Sequence, residues 1–162
     1  MARVLEIYSP YVLRGLATFE EDCPSLAEML SRRDAVLERG LPYLVAEHMG
    51  TVVGYSYATG YRARPAYRHT IENSVYVQEG VTGLGVGKAL LQALIERCTK
   101  GPWRQMIAVV GNSANEASIA LHRSCGFENA GILTSVGFKL DQWVDTVLLQ
   151  RPLNGGDTTR PG

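Results

Sequence analysis

In the stretch "GVTGLGVGKALL" (residues 80–91), Gly83, Gly85 and Gly87 alternate through a turn that follows an apolar run and opens a helix-like pattern. A backbone that bare lets several amide N–H groups face outward at the positive end of a helix dipole, where a phosphate can sit. The same trio could also serve only as a tight connection. Two nucleotide motifs compete for it. A P-loop would use Gly87-Lys88, but Thr82 stands at its first glycine and Ala89 at its magnesium-binding hydroxyl, so a Walker-type ATPase is disfavoured. A dinucleotide fingerprint wants G-x-G-x-x-G in an early βαβ unit with an acidic residue about 20 positions on. This turn reads G-x-G-x-G in mid-chain, behind strands that look antiparallel.

A second chemical cluster lies just upstream. "YRARPAYRH" (61–69) gathers Arg62, Arg64, Arg68, Tyr61 and Tyr67, and it abuts "TIENSVYVQ" (70–78), a strand-like run alternating Ile71, Asn73, Val75 and Val77.

The flanking elements must position these groups. Val4, Ile7, Tyr8, Val12 and Leu13 suit a first helix; in "SLAEMLSRRDAVLERG", Leu26, Met29, Leu30 and Leu37 recur at helical spacing before a stop at Gly40. "PYLVAEH" and "TVVGYSYATGY", separated by Met49-Gly50, read as a hairpin. "GVGKALLQALIERCTKG" is an amphipathic helix with Leu90, Leu91, Leu94 and Ile95 on one side, "RQMIAVVG" a buried strand, and "NEASIALHRSCGF" a short helix. Residues 128–153 read as two closing strands joined near Gly137 to Asp141, and 154–162, "NGGDTTRPG", as a disordered tail. The order predicts a mixed α/β (α+β) fold, one domain over residues 1–153 with no internal repeat or linker.

The bulk numbers narrow the classes. A chain of 162 residues, 46% hydrophobic and 20% charged, can bury a core without disulfides or metals. Its 16 basic and 16 acidic side chains cancel, so nothing steers it toward nucleic acid or an anionic membrane, and any anion must be caught locally. No run of about 18 apolar residues spans a membrane, and no signal pattern opens the chain. Cys23, Cys98 and Cys125 form no close pair, which fits reduced thiols in a cytoplasm. His48, His69 and His122 have no ligand-like spacing with them, so no metal is expected.

"VYV", the loop "GLGVGK", the helix "ALLQALIE", a buried strand and then "NEASIALHRSCGF" together resemble the acetyl-CoA site of the GNAT acetyltransferase superfamily. Within it, "YRARPAYRHTIENSVYV", "NEASIALH" and "VGFKLDQWVD" are similar to the phosphinothricin and methionine sulfone/sulfoximine N-acetyltransferases, from about Ile7 to about Leu153. The resemblance implies a GNAT fold, a mostly antiparallel sheet flanked by about four helices, acetyl-CoA as co-substrate, a small amino acid as acceptor and a homodimer. It also implies roles. The strand at Val75, Tyr76 and Val77 would bond the pantetheine arm through its backbone, and Gly83, Leu84, Gly85, Val86, Gly87 and Lys88 would hold the pyrophosphate. Thr82 stands where the superfamily loop starts with Arg or Gln, a departure that could remove one charge-assisted contact worth about 1.5–3 kcal/mol. Asn115 would touch the cofactor arm, or simply cap its helix. His122 falls where a thiolate-protonating residue often stands, although a lone helical histidine is more commonly a packing residue.

Glu72 would accept the acceptor's ammonium proton, as a carboxylate in a partly desolvated cleft can; otherwise it is an exposed strand residue paired with Arg68. The N–H of Val77 would hold the oxyanion. Phe19, Arg62, Arg64, Ala66 and Tyr67 would line the acceptor pocket, with an arginine clamping a carboxylate. Direct attack needs no acyl-enzyme, leaving Cys98 and Cys125 to packing. Leu140 and Val144 replace histidines of the phosphinothricin-specialised members, which favours the sulfone/sulfoximine type of acceptor. Only Met1 to Leu5 precede "EIY", so the family's first strand is missing or truncated, leaving a sheet edge bare. A CoA-binding module without turnover and a protein-lysine acetyltransferase are the rival readings.

Overall fold

The computed structural model describes residues 1–81 and 83–161. The chain runs α1 (Ala2–Leu13), α2 (Leu26–Glu38), β1 (Tyr43–His48), β2 (Thr51–Gly60), a 3₁₀ turn (Pro65–Tyr67), β3 (Thr70–Val77), α3 (Val86–Thr99), β4 (Gln105–Gly111), α4 (Glu116–Ser124), β5 (Glu128–Lys139) and β6 (Gln142–Pro152). Among the described residues the strands form one six-stranded sheet in the order β1-β2-β3-β4-β6-β5. Every pairing is antiparallel except β3 with β4. The mixed, mostly antiparallel sheet with four helices is the expected fold. The residues before "EIY" are already helical, so among the described residues no strand precedes α1 and β1 is an edge.

Strand β2 shows how alternation builds the two layers. Tyr55 and Tyr57 face α1, while Gly54, Ser56 and Ala58 face α3. Small residues on the second face let α3 lie close: a Cβ on Gly54 would stand 3.0 Å from Leu90, and the Ser56 hydroxyl reaches the Leu90 carbonyl at 3.4 Å. The amphipathic stripe of α3 then buries Leu90, Leu91, Leu94, Ile95 and Cys98 against Ile71, Met106, Ala108 and Leu149. On the other face α1 buries Val4, Ile7, Tyr8 and Val12, leaving Leu13 exposed.

Helix α2 keeps its expected span but rotates its stripe. Met29 and Val36 are buried, whereas Leu26 and Leu37 are exposed, because seven residues bring a helix back to the same face and eleven place Leu26 and Leu37 along its outer side.

The segment from 154, expected as a disordered tail, is tied back. Asn154 Nδ2 donates to the carbonyls of Gly101 (2.9 Å) and Trp103 (3.1 Å), and Arg104 donates to those of Gly156 and Thr159 at 2.8 Å each. These bonds satisfy turn carbonyls that would otherwise need water.

Leu94 is completely buried and Leu84 is 69% exposed. Leu94→Ala should therefore lower the unfolding free energy in denaturant titrations by about 2–5 kcal/mol, and Leu84→Ala by less than about 0.5 kcal/mol.

Candidate functional site

The parallel pairing of β3 with β4 covers only Thr70–Asn73 against Gln105–Ala108, whereas β2 follows β3 as far as Val77. Past Asn73 the two parallel strands diverge and the sheet splits. Gln78 N–H bonds Val53 on β2 at 2.8 Å, so by strand alternation the polar groups of Tyr76 face β2 and those of Val75 and Val77 face the split. Tyr11 from α1 meets Val77: its hydroxyl donates to the Val77 carbonyl at 2.6 Å and accepts from the Val77 N–H at 3.4 Å. The expected oxyanion donor is thus already engaged. Of Val75, Tyr76 and Val77, Val75 is the residue whose strand groups have no partner on the split side among the described residues.

At the end of the split stands the glycine turn. Gly83 and Gly85 have φ of +87° and +79°, in the region that side chains disfavour, and Gly85 is the N-cap of α3 with no side chain to offer. The amides of Val86, Gly87 and Lys88 in the first helical turn therefore lack an intrahelical partner. Leu84 and Lys88 are exposed, and Gly87 sits beside Val77 and Leu121, joining the turn to β3 and α4. Thr82, the departure from the superfamily loop, lies outside the described residues.

Helix α4 supplies the opposite wall. Asn115 caps it, its side-chain oxygen accepting from the Ser118 N–H at 3.2 Å. His122 is buried, with Nδ1 2.7 Å from the Ser118 carbonyl and Nε2 2.9 Å from Asn73 Nδ2. A carbonyl only accepts, so Nδ1 carries the proton and Nε2 accepts from the amide. Burial also lowers the histidine's pKa, outweighing that carbonyl contact. His122 is neutral here and has no Nε2 proton to give, which argues against its expected general-acid role. Asn73 Oδ1 is buried without a protein partner, an acceptor facing no donor of the fold. Tyr11, Ala17, Asn73, Val75, Val110 and His122 line a narrow cleft of about 60 Å³ in the split.

Glu72 is half-buried on the α1 face, opposite Thr59 on β2. Burial raises its pKa above the usual carboxylate value, and the charge of Arg62 pulls it partly back. That places Arg62 near Glu72, with its guanidinium 5.1 Å from the Tyr61 ring centroid. Tyr61 in turn meets Tyr67 edge-on at 5.7 Å. Arg64 and Ala66 are exposed beside them. Phe19 is elsewhere: its ring packs on Gly137 of β5. Val144 is in the core at 3% exposure, so it cannot line an acceptor pocket and its identity says little about the acceptor.

Sequence reading missed an aromatic layer. Tyr8, Tyr11, Tyr43, Tyr55, Tyr57 and Tyr76 contact one another on the α1 face at centroid distances from 4.9 to 6.1 Å. A cavity of about 310 Å³ opens between that layer and α2, reaching Arg32 and Thr59. Tyrosines two apart on β2 and three apart on α1 were the available signal. Among the described residues no group of three or more His, Cys, Asp or Glu could hold a metal, and no helix is long and apolar enough to cross a membrane.

A split between parallel strands accepts an extended, amide-bearing chain as a pseudo-strand, and the amide-lined helix start beside it accepts a diphosphate. Together they define a coenzyme A-dependent acyltransferase. The chain belongs to the acetyltransferase (GNAT) family, whose model matches residues 2–127. It is 57% identical over 158 residues to phosphinothricin N-acetyltransferase of Alcaligenes faecalis, covering 98% of this chain and 80% of that one. To the L-methionine sulfoximine/L-methionine sulfone acetyltransferase of Pseudomonas paraeruginosa it is 39% identical, covering 93% and 88%. A solved GNAT superfamily phosphinothricin acetyltransferase from Sinorhizobium meliloti, in complex with AcCoA, superposes with a TM-score of 0.93 at 48% identity, covering 98% and 85%. The lean toward the sulfone type drawn from Leu140 and Val144 is not reflected in these identities.

No atom stands within 4 Å of a Cβ built on Gly85, so a side chain there costs only its left-handed backbone. Gly85→Ala should lose about 1–2 kcal/mol of stability. Acetyl-CoA affinity, measured calorimetrically, should fall about tenfold as the amides shift out of register.

Proposed function

We propose that the protein transfers acetyl from acetyl-CoA to the α-amine of a small amino acid analogue, of the phosphinothricin or methionine sulfone/sulfoximine type, by direct attack. The observation that carries this reading is the meeting of the split at Asn73 with the glycine-opened start of α3. The pantetheine arm lies along β3, bonding Val75 and, once the Tyr11 hydroxyl yields, Val77. The diphosphate rests on the amides of residues 83–88, and Asn73 Oδ1 is an acceptor available to an amide N–H of the arm.

Glu72 takes a proton from the acceptor's ammonium, directly or through water. The amine attacks the thioester carbon, and the oxyanion is held by the N–H of Val75, in place of the engaged Val77. The intermediate collapses with cleavage of the C–S bond. With His122 neutral, the departing thiolate takes the remaining excess proton from the attacking nitrogen. Burial pushes the Cys98 thiol up to about 12, which keeps it a packing group and not a nucleophile. Arg62, close to Glu72, is the cation we assign to the acceptor carboxylate; Tyr67 bounds the pocket beside it, with Arg64 and Ala66 at its rim, while Phe19, packed on Gly137, stands apart from them.

The working form is a homodimer. Ile132, Leu133, Val136, Phe138 and Trp143 are 45–66% exposed on the β5–β6 hairpin, an apolar face suited to a second copy. Three free thiols fit a cytoplasmic location.

Release of free thiol on adding methionine sulfone or phosphinothricin to protein and acetyl-CoA tests the reaction. Cofactor binding without acceptor-dependent thiol would instead indicate a CoA-binding module. Glu72→Gln should keep acetyl-CoA affinity and lower turnover by about 10²-fold or more. Because burial raises the Glu72 pKa, acceptor kcat/KM in the native protein should fall with acid at a pH above the ordinary carboxylate range. That acid limb should vanish in Glu72→Gln. Trp143→Asp should shift sedimentation from dimer to monomer.

A further inference from the structure

We propose that Lys139 is a positioning residue for acetyl transfer: its ammonium straps the α1–α2 connection across the split as the wall against which the acceptor meets the thioester. This rests on the transfer reaction proposed above. Lys139 ends β5, more than a hundred residues from that connection, yet it is only 2% exposed. Its Nζ donates to the carbonyls of Thr18 at 2.7 Å and Tyr11 at 3.3 Å. The Tyr11 carbonyl belongs to the last turn of α1, where carbonyls lack helical partners and the dipole is negative, so an ammonium is a fitting cap.

Three further contacts place the same segment. The Leu16 carbonyl lies against Gly111 at the end of β4, past the point where β4 leaves β3, so closely that a Cβ there would collide with it. The Phe19 ring stands 2.5 Å from where a Cβ of Gly137 would be. The Thr18 hydroxyl bonds Tyr8 of α1 at 3.0 Å. Ala17, between these anchors, lines the cleft with Asn73, Val75 and His122. Meanwhile the Tyr11 side chain holds Val77 on β3. The end of α1 and the connection that follows it are therefore fastened to β3 on one side of the split and to β4 and β5 on the other. Two converging carbonyls need a donor with several N–H bonds and a long reach, which a neutral aliphatic chain cannot supply.

The test compares Lys139→Met and Gly137→Ala with the native protein. Lys139→Met should raise acceptor KM about tenfold or more, as misplacement of a positioning wall does, while the acetyl-CoA dissociation constant stays within about twofold. Hydrogen exchange should quicken at residues 14–20 and not in the sheet. Gly137→Ala, which displaces Phe19 without touching the charge, should give a smaller rise in acceptor KM, and it decides the matter if Lys139→Met does not fold. Unchanged acceptor KM with unchanged exchange, or equal losses toward both substrates with global loosening, would overturn the proposal. Should the native protein acetylate no acceptor, the reaction itself fails; local quickening at 14–20 in Lys139→Met would then still support the strap, and its absence would overturn it.

Discussion

The whole site depends on where one parallel ladder stops. The β3–β4 pairing ends at Asn73 and Ala108, and from that point each strand has backbone groups without their natural partner. A buried unpaired peptide group costs about as much as a lost hydrogen bond, so a split sheet persists only if something else meets those groups. Tyr11 does so at Val77 with a single hydroxyl that both donates and accepts. Such a group can be exchanged for a ligand's amide at little net cost, since both states are hydrogen-bonded. The structure thus stabilises an opening that a chain of amides can enter.

The β5–β6 hairpin braces the helices on either side of the split. It sends two cations to two helix ends: Lys139 to the last turn of α1, and Arg151 to the Cys125 carbonyl that closes α4. Helix C-termini carry partial negative charge, so each contact adds to the hydrogen bond it makes. Arg151 also explains Gly126, whose positive φ leaves it no side chain where the guanidinium passes. One hairpin therefore contacts a helix on each side of the sheet, and both helices line the cleft, α1 through Tyr11 and α4 through Ser118 and His122.

What the sequence disclosed divides along physical lines. Helix α3 and strand β2 were legible because their signals are local: a 3.6-residue stripe through Leu90, Leu91, Leu94 and Ile95, and β-branched and aromatic runs around Met49-Gly50. The glycine turn was legible because glycine is the residue that adopts the φ of Gly83 and Gly85 without backbone strain. The rotation of α2 was not, since Leu26 and Val36 are equally apolar and only packing chooses between them. Nor were the non-local bonds: Tyr11 to Val77 and Lys139 to Thr18 span 66 and 121 residues, and no spacing rule encodes such partners. Val77 is the clearest case: period two correctly placed its N–H on the split side but could not reveal the Tyr11 phenol that bonds it there.

The proposed base, Glu72, and the fold are linked through the aromatic layer. Tyr55 is almost wholly buried, and burial raises the phenols of Tyr55 and Tyr76, so neither ionises near neutral pH and the layer stays uncharged. Tyr57 extends it to the neighbourhood of Glu72, Glu20 and Arg32, and desolvation raises the Tyr57 phenol as it raises the Glu72 carboxyl. A carboxylate on open strand would be too weak a base to hold an ammonium proton for long; one at the rim of a dry aromatic surface is stronger because its charged form is less well solvated. Arg62 acts against that rise, so the proton affinity of Glu72 follows from two opposed terms, one fixed by the layer and one carried by an exposed side chain. Of the two, only the second can move when an acceptor carboxylate arrives. In the proposed reaction, pairing Arg62 with the acceptor carboxylate would offset its positive charge and strengthen Glu72 as a base when the acceptor's ammonium gives up its proton.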